Sequence, residues 1–462
     1  MSKRFAWLLG VLVLILIGLL LACGSVYNPL SDGLVLVGSQ GSALIQTFSF
    51  GLSNGHISAD ANSTQSTGSS TCVLPGIPSS MVLDPAGAYA YVILTQNDTC
   101  PKSQTGIAAF KVNSDGTLTA TGTITPDPNP MQLVMDSSGK FLFVAEGLVT
   151  TSITNSTTET TPCIESNTQY GVCVYAIGSG GSLTAVPGTF NIPGSPSGQA
   201  FTPPGPGFQT PNFVAVAATP TVFPALINGV PQAVCSLAPK PTTEYLYAAD
   251  STNNVVWEFS VNTSTGALQN PPNTTQVPYF PSPSLPQTGP ALSVPSGVAV
   301  DACNRFVYVS NSQSNNISAY TICNGSMTQS SSFCPPTPEP PDGSLVAVLG
   351  SPYSNASGTI NPGPMLVDPF GNTLYVLDTL SNQISTFRIA PVSGSLTPGT
   401  PAAVATGLGA TSMAIRSDDS WLFVTNFQAA TLSQYSITPD TGALTPFPVT
   451  STDNYPWGVA VK

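Results

Sequence analysis

Three short segments share one pattern: Tyr308-Val309-Ser310-Asn311, Tyr375-Val376-Leu377-Asp378 and Phe423-Val424-Thr425-Asn426. Aromatic, β-branched and aliphatic residues that precede a polar residue in this way are typical of a β-strand. The same kind of apolar triplet recurs along the chain, centred on Leu36, Tyr91, Phe143, Tyr247, Tyr308, Tyr375 and Phe423. The sequence therefore predicts one strand that is repeated seven times.

Two further marks follow each triplet. An aromatic residue lies 12 positions after the triplet centre at Phe48, Phe259, Tyr320, Phe387 and Tyr435, and at a longer spacing at Phe110 and Tyr175. A hairpin turn of the form Gly-x-Leu or Gly-x-Ile then begins at Gly55, Gly116, Gly181, Gly266, Gly343, Gly394 and Gly442. All seven units carry all three marks.

Most triplets are preceded by a strand that ends in a turn, as at Asp84-Pro85-Ala86-Gly87, Asp136-Ser137-Ser138-Gly139 and Asp368-Pro369-Phe370-Gly371. Asp caps such a turn with its side chain, Pro presets φ, and Gly tolerates positive φ. We interpret these aspartates as turn residues and not as a metal or acid-base array.

Each unit thus supplies four antiparallel strands, a to d, and four-stranded units at this spacing predict an all-β, seven-bladed β-propeller over residues 34–462. The first unit lacks its own a strand. Pro456-Trp457-Gly458-Val459-Ala460-Val461 matches the a strand Pro295-Ser296-Gly297-Val298-Ala299-Val300, so we expect the C-terminus to complete blade 1. The 104 residues between Phe143 and Tyr247 could hold an eighth blade, but they carry no additional set of marks.

The N-terminus predicts export. A cationic stretch, Ser2-Lys3-Arg4, precedes an apolar run from Phe5 to Ala22. Leu20-Leu21-Ala22-Cys23 resembles the bacterial lipobox, which implies a signal peptide at residues 1–22, a membrane partner through lipid on Cys23 and a linker at 23–33. The alternative is an uncleaved transmembrane anchor. Both place the body of the protein outside the cytoplasm, on the periplasmic side or at the cell surface.

Composition excludes some partners. Only 7% of the 462 residues are charged, and 10 Lys and Arg against 22 Asp and Glu give a net charge of −12. Nucleic acid and anionic lipid surfaces are bound by clustered cations, so neither fits this chain. We expect a monomer.

Strand order assigns the loops to two faces. The d-to-a and b-to-c connections lie on one face, which we call the top, and the a-to-b and c-to-d turns lie on the other, the bottom. The top carries the three long insertions, Ala145 to Gly171, Pro187 to Pro211 and Gln269 to Pro295. Long loops on a rigid scaffold usually carry binding. An unidentified protein or carbohydrate ligand is therefore expected on the top face.

Eight cysteines remain besides Cys23, which predicts four disulfides in an oxidising compartment. Both faces receive an even number only if the a strand of blade 4 is Asn212 to Ala217 and not Val234 to Leu237. This favours the pairs Cys72 with Cys100, Cys163 with Cys173, Cys235 with Cys303, and Cys323 with Cys334. No Cys-x-x-Cys or His cluster predicts a metal site, and no cofactor is expected.

Four top-face residues are candidates for ligand binding. Glu146, Asp250 and Asp378 each lie three residues after a triplet centre. They either cap the b-to-c loops or belong to a ligand or Ca²⁺ site, which oxygen donors would suit. Trp457 lies at the start of the last strand and is either core packing or a platform for a sugar ring or a partner side chain.

The repeated Tyr-Val-Ser-Asn type of segment resembles the repeat of the seven-bladed lactonase-like propellers. That family includes the 6-phosphogluconolactonase type and surface proteins with Tyr-Val-Thr-Asn repeats. The resemblance implies the fold over residues 34–462 and makes lactonase activity the alternative function. Lactone hydrolysis needs a base and an oxyanion stabiliser, and a phosphosugar also needs cations.

Groups that could perform lactone hydrolysis are scarce. The one histidine, His56, and three arginines, Arg305, Arg388 and Arg416, map to the bottom face. We therefore predict no catalytic residues, and a binding or scaffold module in preference to an enzyme. A hydrolase acting on a sugar lactone is the alternative, and a structural cell-surface protein is a third class.

Overall fold

Seven antiparallel sheets form the computed structural model, which describes residues 32–65, 76–95, 105–122, 124–127, 129–147, 171–186, 212–218, 244–268, 273–276, 294–323, 334, 343–356 and 358–462. The only helix within these residues is the 3-10 turn Ser179–Gly181. The predicted seven-bladed β-propeller is confirmed.

The first four blades contain the following strands. Blade 1 has β1 (Asp32–Ser39), β2 (Leu44–Gly51) and β3 (Ile57–Gln65). Blade 2 has β4 (Ile77–Leu83), β5 (Tyr89–Thr95), β6 (Gly106–Val112), β7 (Leu118–Ala120) and β8 (Thr125–Pro126). Blade 3 has β9 (Pro130–Met135), β10 (Phe141–Glu146), β11 (Gly171–Ile177) and β12 (Leu183–Ala185). Blade 4 has β13 (Phe213–Ala218), β14 (Glu244–Asp250), β15 (Val255–Val261) and β16 (Asn273–Gln276).

The remaining strands complete the ring. Blade 5 has β17 (Pro295–Val300), β18 (Phe306–Asn311), β19 (Asn316–Ile322), β20 (Leu345–Ala347) and β21 (Tyr353–Ser354). Blade 6 has β22 (Pro362–Val367), β23 (Thr373–Asp378), β24 (Gln383–Ile389) and β25 (Leu396–Ala405). Blade 7 has β26 (Ala410–Ile415), β27 (Trp421–Asn426), β28 (Thr431–Thr438), β29 (Ala443–Pro446) and β30 (Thr450–Ser451). The last strand is β31 (Pro456–Val461).

The C-terminal strand closes the ring, as predicted. β31 pairs with β1 in the register Val35 to Val461 and Val37 to Val459, so blade 1 has the order β3-β2-β1-β31. Backbone hydrogen bonds in both directions between Leu34 and Lys462 extend this ladder. The a strand of blade 1 therefore comes from the opposite end of the chain.

Seven apolar clusters hold the blades together, one between each adjacent pair. Two of the sequence marks meet at three of these interfaces. The hydroxyls of Tyr247, Tyr308 and Tyr375, each at a triplet centre, donate to the carbonyls of the hairpin glycines Gly343, Gly394 and Gly442 in the next blade. Blades 5 and 6 thus each supply a donor for one neighbour and an acceptor for the other.

The turn residues have the predicted roles. Asp84 Oδ1 accepts hydrogen bonds from the backbone N–H groups of Ala88 and Tyr89, at 2.6 and 2.8 Å. Asp136 Oδ1 accepts the equivalent pair from Lys140 and Phe141. All seven hairpin glycines have positive φ, between 63° and 87°, a conformation that glycine adopts without steric cost.

Blade 4 uses the favoured segment, since β13 spans Phe213–Ala218. The sequence match aligned Pro211 with Pro295 of β17. In the structure Phe213 is the equivalent of Pro295, because Phe213 pairs with Asp250 at the end of its b strand as Pro295 pairs with Asn311, so the alignment is shifted by two residues. A shift of two leaves every side chain on the same face of a strand, so alternation could not distinguish the two registers.

The predicted pair Cys323 and Cys334 forms a disulfide. Cys173 and Cys303 are also in disulfides. Cys72, Cys100, Cys163 and Cys235 lie outside the described residues, as do Cys23 and the predicted signal peptide. The three long top insertions lie largely outside them too. No helix in the described ranges is long and apolar enough to cross a membrane.

Candidate functional site

In blades 4, 6 and 7 the b strand ends at the top face with a side chain that is hydrogen-bonded to the loop or strand that follows. Asp250 is fully buried at the end of β14. Its Oδ1 accepts hydrogen bonds from the backbone N–H groups of Asn212, Thr252 and Asn253, and its Oδ2 accepts from Asn253 Nδ2 and Trp257 Nε1. Asp250 therefore caps the b-to-c loop and ties it to the strand that enters the blade.

Asp378 has the same position in blade 6. Its Oδ2 accepts a hydrogen bond from Ser385 Oγ at 2.6 Å, and its Oδ1 accepts from Asn355 Nδ2. Burial raises the pKa of Asp378 to about 6, although both hydrogen bonds favour its ionised form. In blade 7 the amide of Asn426 takes the same place and donates to Ser433 Oγ. These contacts are structural and leave neither side chain free for a ligand.

The partner on the c strand has a fixed offset. Trp257, Ser385 and Ser433 each follow by two positions the residue that pairs with the end of the b strand. In blade 3, Glu146 at the end of the b strand pairs with Gly171, so the residue two positions later is Cys173. A disulfide cysteine has no S–H to donate, so Glu146 receives nothing from this position.

Glu146 instead faces a second carboxyl group, that of Asp127 in the connection between blades 2 and 3. The two side chains are 2% and 1% exposed, and a carboxyl oxygen of each lies within 4.8 Å of one of the other. Tyr175 donates its hydroxyl to Asp127 Oδ2 at 2.7 Å. Burial raises the pKa of both acids, that of Glu146 further because the Asp127 charge adds to it. Burial and the nearby Asp127 carboxyl group therefore both favour the protonated form of Glu146.

The chemistry of this pair disfavours a metal ion. The possible ligand atoms of Asp127, Glu146 and Cys173 lie within 4.8 Å of one another. Cys173 is in a disulfide and offers no thiolate, so two carboxylates remain, whereas Ca²⁺ takes six to eight oxygen ligands. The sequence singled out Glu146 but missed Asp127, which no repeat position marks.

Trp457 has a different environment from the three carboxylates. Its side chain is 39% exposed, so the interpretation as core packing is wrong. The reason is a β-bulge: β31 pairs through Pro456 and Gly458, and Trp457 is the extra residue between them. A bulge re-aims the side chain of its extra residue. The Phe427 ring lies 5.5 Å from the Trp457 ring at 90°, and it stacks on Tyr455 at 4.8 Å.

The same bulge occurs at the top of every a strand. The a strands form the innermost ring, each touching the a strands of both neighbours, so their bulges surround the mouth of the central channel. The bulge residues are Ser79, Ser80, Met131, Val214, Ser296, Gly363, Pro364, Thr411 and Trp457. This ring contains apolar and hydroxyl side chains and one aromatic ring, and it carries no ionisable group.

Comparison with known proteins agrees with this architecture. Residues 345–461 match the family model described as lactonase, 7-bladed β-propeller. The chain is a seven-bladed propeller, and over these residues it is similar to the lactonase family. No curated protein matches it.

Three solved structures share the fold of this chain at low sequence identity. The periplasmic gluconolactonase of Pseudomonas aeruginosa is 17% identical with a TM-score of 0.60, and the match covers 93% of this chain and 99% of that one. A Bacteroides uniformis protein, provisionally described as a 6-phosphogluconolactonase, has 16% identity, a TM-score of 0.60 and coverages of 94% and 100%. A Bacteroides fragilis protein with the same provisional description is 17% identical with a TM-score of 0.57, and the match covers 94% of this chain and 98% of that one.

The described basic side chains lie on the face opposite the channel mouth that the bulges surround. Every Lys, Arg and His in the described ranges lies toward the bottom: His56, Lys111, Lys140, Arg305, Arg388, Arg416 and Lys462. His56 is exposed in a hairpin turn, and Arg305 is 5% exposed in an ion pair with Asp301. Within its described part the top face therefore offers no cation for a phosphate and no imidazole base.

The four predicted ligand-binding residues lie on four different blades. Glu146, Asp250 and Asp378 make separate local contacts, and only Trp457 presents its side chain to solvent at the channel mouth. Phe427 and Tyr455 were missed in the sequence because no repeated mark falls on them. The unusual residue type at the position of Tyr455, directly before an a strand, was the signal that could have found it.

Proposed function

We propose that this lactonase-like propeller is an exported binding module that holds its ligand at the channel mouth on the top face and does not turn it over. One observation carries the proposal. The mouth presents exposed aromatic and apolar side chains, whereas Asp250 and Asp378 cap loops and Glu146 is buried beside Asp127. Such a surface can bind a ligand, and its bulge residues include no ionisable side chain that could act as a general base.

The second candidate is a hydrolase of a sugar lactone. It is favoured by the lactonase family match and by the fold shared with a periplasmic gluconolactonase. If this is the function, we expect an unphosphorylated substrate, since every described cation lies toward the bottom face.

A lactonase assay decides between the two. Protein lacking residues 1–22 is purified and incubated with gluconolactone and with its 6-phosphate, and acid release is followed against the spontaneous rate. We expect no acceleration of either. Turnover well above the spontaneous rate that is lost on heat denaturation would replace the binding module with the hydrolase.

We further propose that the protein is lipid-anchored through Cys23 on the outer side of a bacterial membrane. The lipobox-like segment supports the anchor, and the disulfide between Cys323 and Cys334 supports an oxidising compartment. Replacing Cys23 by Ser should leave an unprocessed precursor and abolish labelling with radioactive palmitate. Normal maturation of that variant would indicate ordinary signal cleavage instead.

A further inference from the structure

The residue directly before an a strand has a conformation that the fold repeats. Val294, Asn361, Gly409 and Tyr455 all hold this position with positive φ, at 53°, 63°, 71° and 58°. The carbonyl of each accepts a hydrogen bond from the backbone N–H of the residue that follows the b strand of the same blade, for Tyr455 that of Gln40 at 2.8 Å. The left-handed conformation is therefore imposed by blade geometry, whatever residue occupies the position.

Tyr455 is the costly choice at this position. Gly and Asn enter the left-handed region readily, whereas an aromatic residue there is an outlier. The left-handed conformation is also unfavourable for Val294, but its side chain is half-buried, so packing offsets part of the conformational cost. Tyr455 is 50% exposed and gains less from packing. A strained residue that exposes its side chain is a candidate for function.

The ring of Tyr455 belongs to an aromatic corner, which we define as Phe427, Tyr455 and Trp457. Phe427 stacks on Tyr455 with 28° between the planes and stands at 90° to Trp457. The corner thus presents two aromatic surfaces in different orientations, with 50% and 39% of Tyr455 and Trp457 exposed. Neither the Tyr455 hydroxyl nor the Trp457 Nε1–H is hydrogen-bonded within the described residues, so both donors are available to a ligand.

The described surroundings of the corner are polar, and Asp453 is the one ionisable residue within two positions of any of its three members. Gly41 lies so close that a Cβ there would come within 2.7 Å of the Tyr455 ring, and the Gly41 N–H donates to the Asn454 carbonyl. Gln428, beside Phe427, is exposed and adds an amide. No described Lys, Arg or His lies on this face. Aromatic surfaces flanked by neutral hydrogen-bonding groups suit a ring with apolar C–H faces and hydroxyls at its edge.

We infer that the aromatic corner is a subsite for a neutral carbohydrate, with one pyranose ring stacked in the angle between Tyr455 and Trp457. This inference rests on the proposed binding at the top face and names the class of ligand. An anionic sugar is disfavoured because the described top face has no cation to pair with it.

The test separates the function of Tyr455 from its cost to the fold. Protein lacking residues 1–22 is titrated with cello-, malto-, xylo- and chitotetraose and with glucose 6-phosphate, and binding is followed by tryptophan fluorescence and calorimetry. We expect one of the neutral tetrasaccharides to bind and glucose 6-phosphate to bind more weakly or not at all. The Tyr455→Asn variant should weaken the binding at least tenfold, yet melt at the parent temperature or above it, since Asn361 shows that Asn suits this position.

Val294→Asn is the matched control, because it relieves the same backbone conformation in blade 5 and should leave the affinity unchanged. Tyr455→Asn with a lower melting temperature would show that the ring is retained for stability and would overturn the inference. Unchanged affinity in that variant, or no binding of any tetrasaccharide at millimolar concentration, would also overturn it. Lactone turnover by a protein that binds the sugar through Tyr455 would refute only the proposed lack of catalysis.

Discussion

Ring closure by β31 makes the most demanding prediction about stability. Truncation after Asn454 removes the a strand of blade 1, which carries the buried Val459 and Ala460 at 4% and 5% exposure. It also uncovers β1, whose Val35 and Val37 are fully buried against β31 and blade 7. Blade 1 would then have an unpaired strand at the channel, a ready site for aggregation.

The expected loss can be estimated from burial. A fully buried Val side chain contributes about 2 kcal/mol, so losing Val459 and Ala460 and half of the burial of Val35, Leu36 and Val37 removes about 6 kcal/mol. That is a large part of the net stability of a typical domain, about 5 to 15 kcal/mol. We therefore expect the truncated protein to aggregate, or to melt far below the parent.

Differential scanning calorimetry of the two proteins provides the measurement, and Trp457→Ala in the full chain is the matched control. Trp457 is in the same strand but is 39% exposed, so its removal should lower the melting temperature only slightly. A truncated protein that melts within a few degrees of the parent would refute the closure argument.

Three further predictions concern single positions. Burial raises the pKa of Glu244 from 4.5 to about 8, so between these pH values the folded state keeps a proton that the unfolded state loses, and the free energy of unfolding falls as the pH rises. In urea unfolding, the Glu244→Gln variant should lose this pH dependence and be more stable than the parent by at most about 5 kcal/mol above pH 8. Replacing Cys323 and Cys334 by Ser removes a disulfide with a sequence separation of 11 and should cost about 3 kcal/mol, measured by chemical denaturation of the variant and the parent without reductant. Gly458→Ala would place a Cβ 1.8 Å from a backbone oxygen of the neighbouring a strand and should cost about 3 kcal/mol in chemical denaturation, whereas Gly122→Ala, in open space, should be neutral.

Features that depend on local chemistry could be predicted from the sequence. The turn aspartates, the hairpin glycines and the strand at Pro456–Val461 each follow from residue types within a few positions of one another. The register of β13 could not be predicted, because a shift of two preserves the alternation that defines a strand. The exposure of Trp457 was hidden for a related reason: a bulge changes the direction of a side chain without changing the apolar pattern around it.

The proximity of Glu146 to Asp127 could not be predicted from the sequence for a different reason. The role of Glu146 depends on the residue two positions beyond its partner on the c strand, and 27 residues separate Glu146 from Cys173 in the sequence. Only the paired strands show that the donor found in other blades is replaced here by a disulfide sulfur.

Comparison of equivalent positions in different blades distinguishes structural residues from candidate functional ones in this propeller. At the ends of the b strands, Asp250, Asp378 and Asn426 are hydrogen-bonded to the same position of the c strand, the aspartates as acceptors and Asn426 as a donor, so the fold alone explains their polarity. Directly before the a strands, Asn361 satisfies the same backbone geometry that Tyr455 satisfies at higher cost. The fold therefore accounts for the conformation of Tyr455 but not for its exposed ring. Because Tyr455, Phe427 and the bulge residue Trp457 meet at one place on the channel mouth, a ligand bound there explains all three departures together, whereas packing would have to explain each one separately.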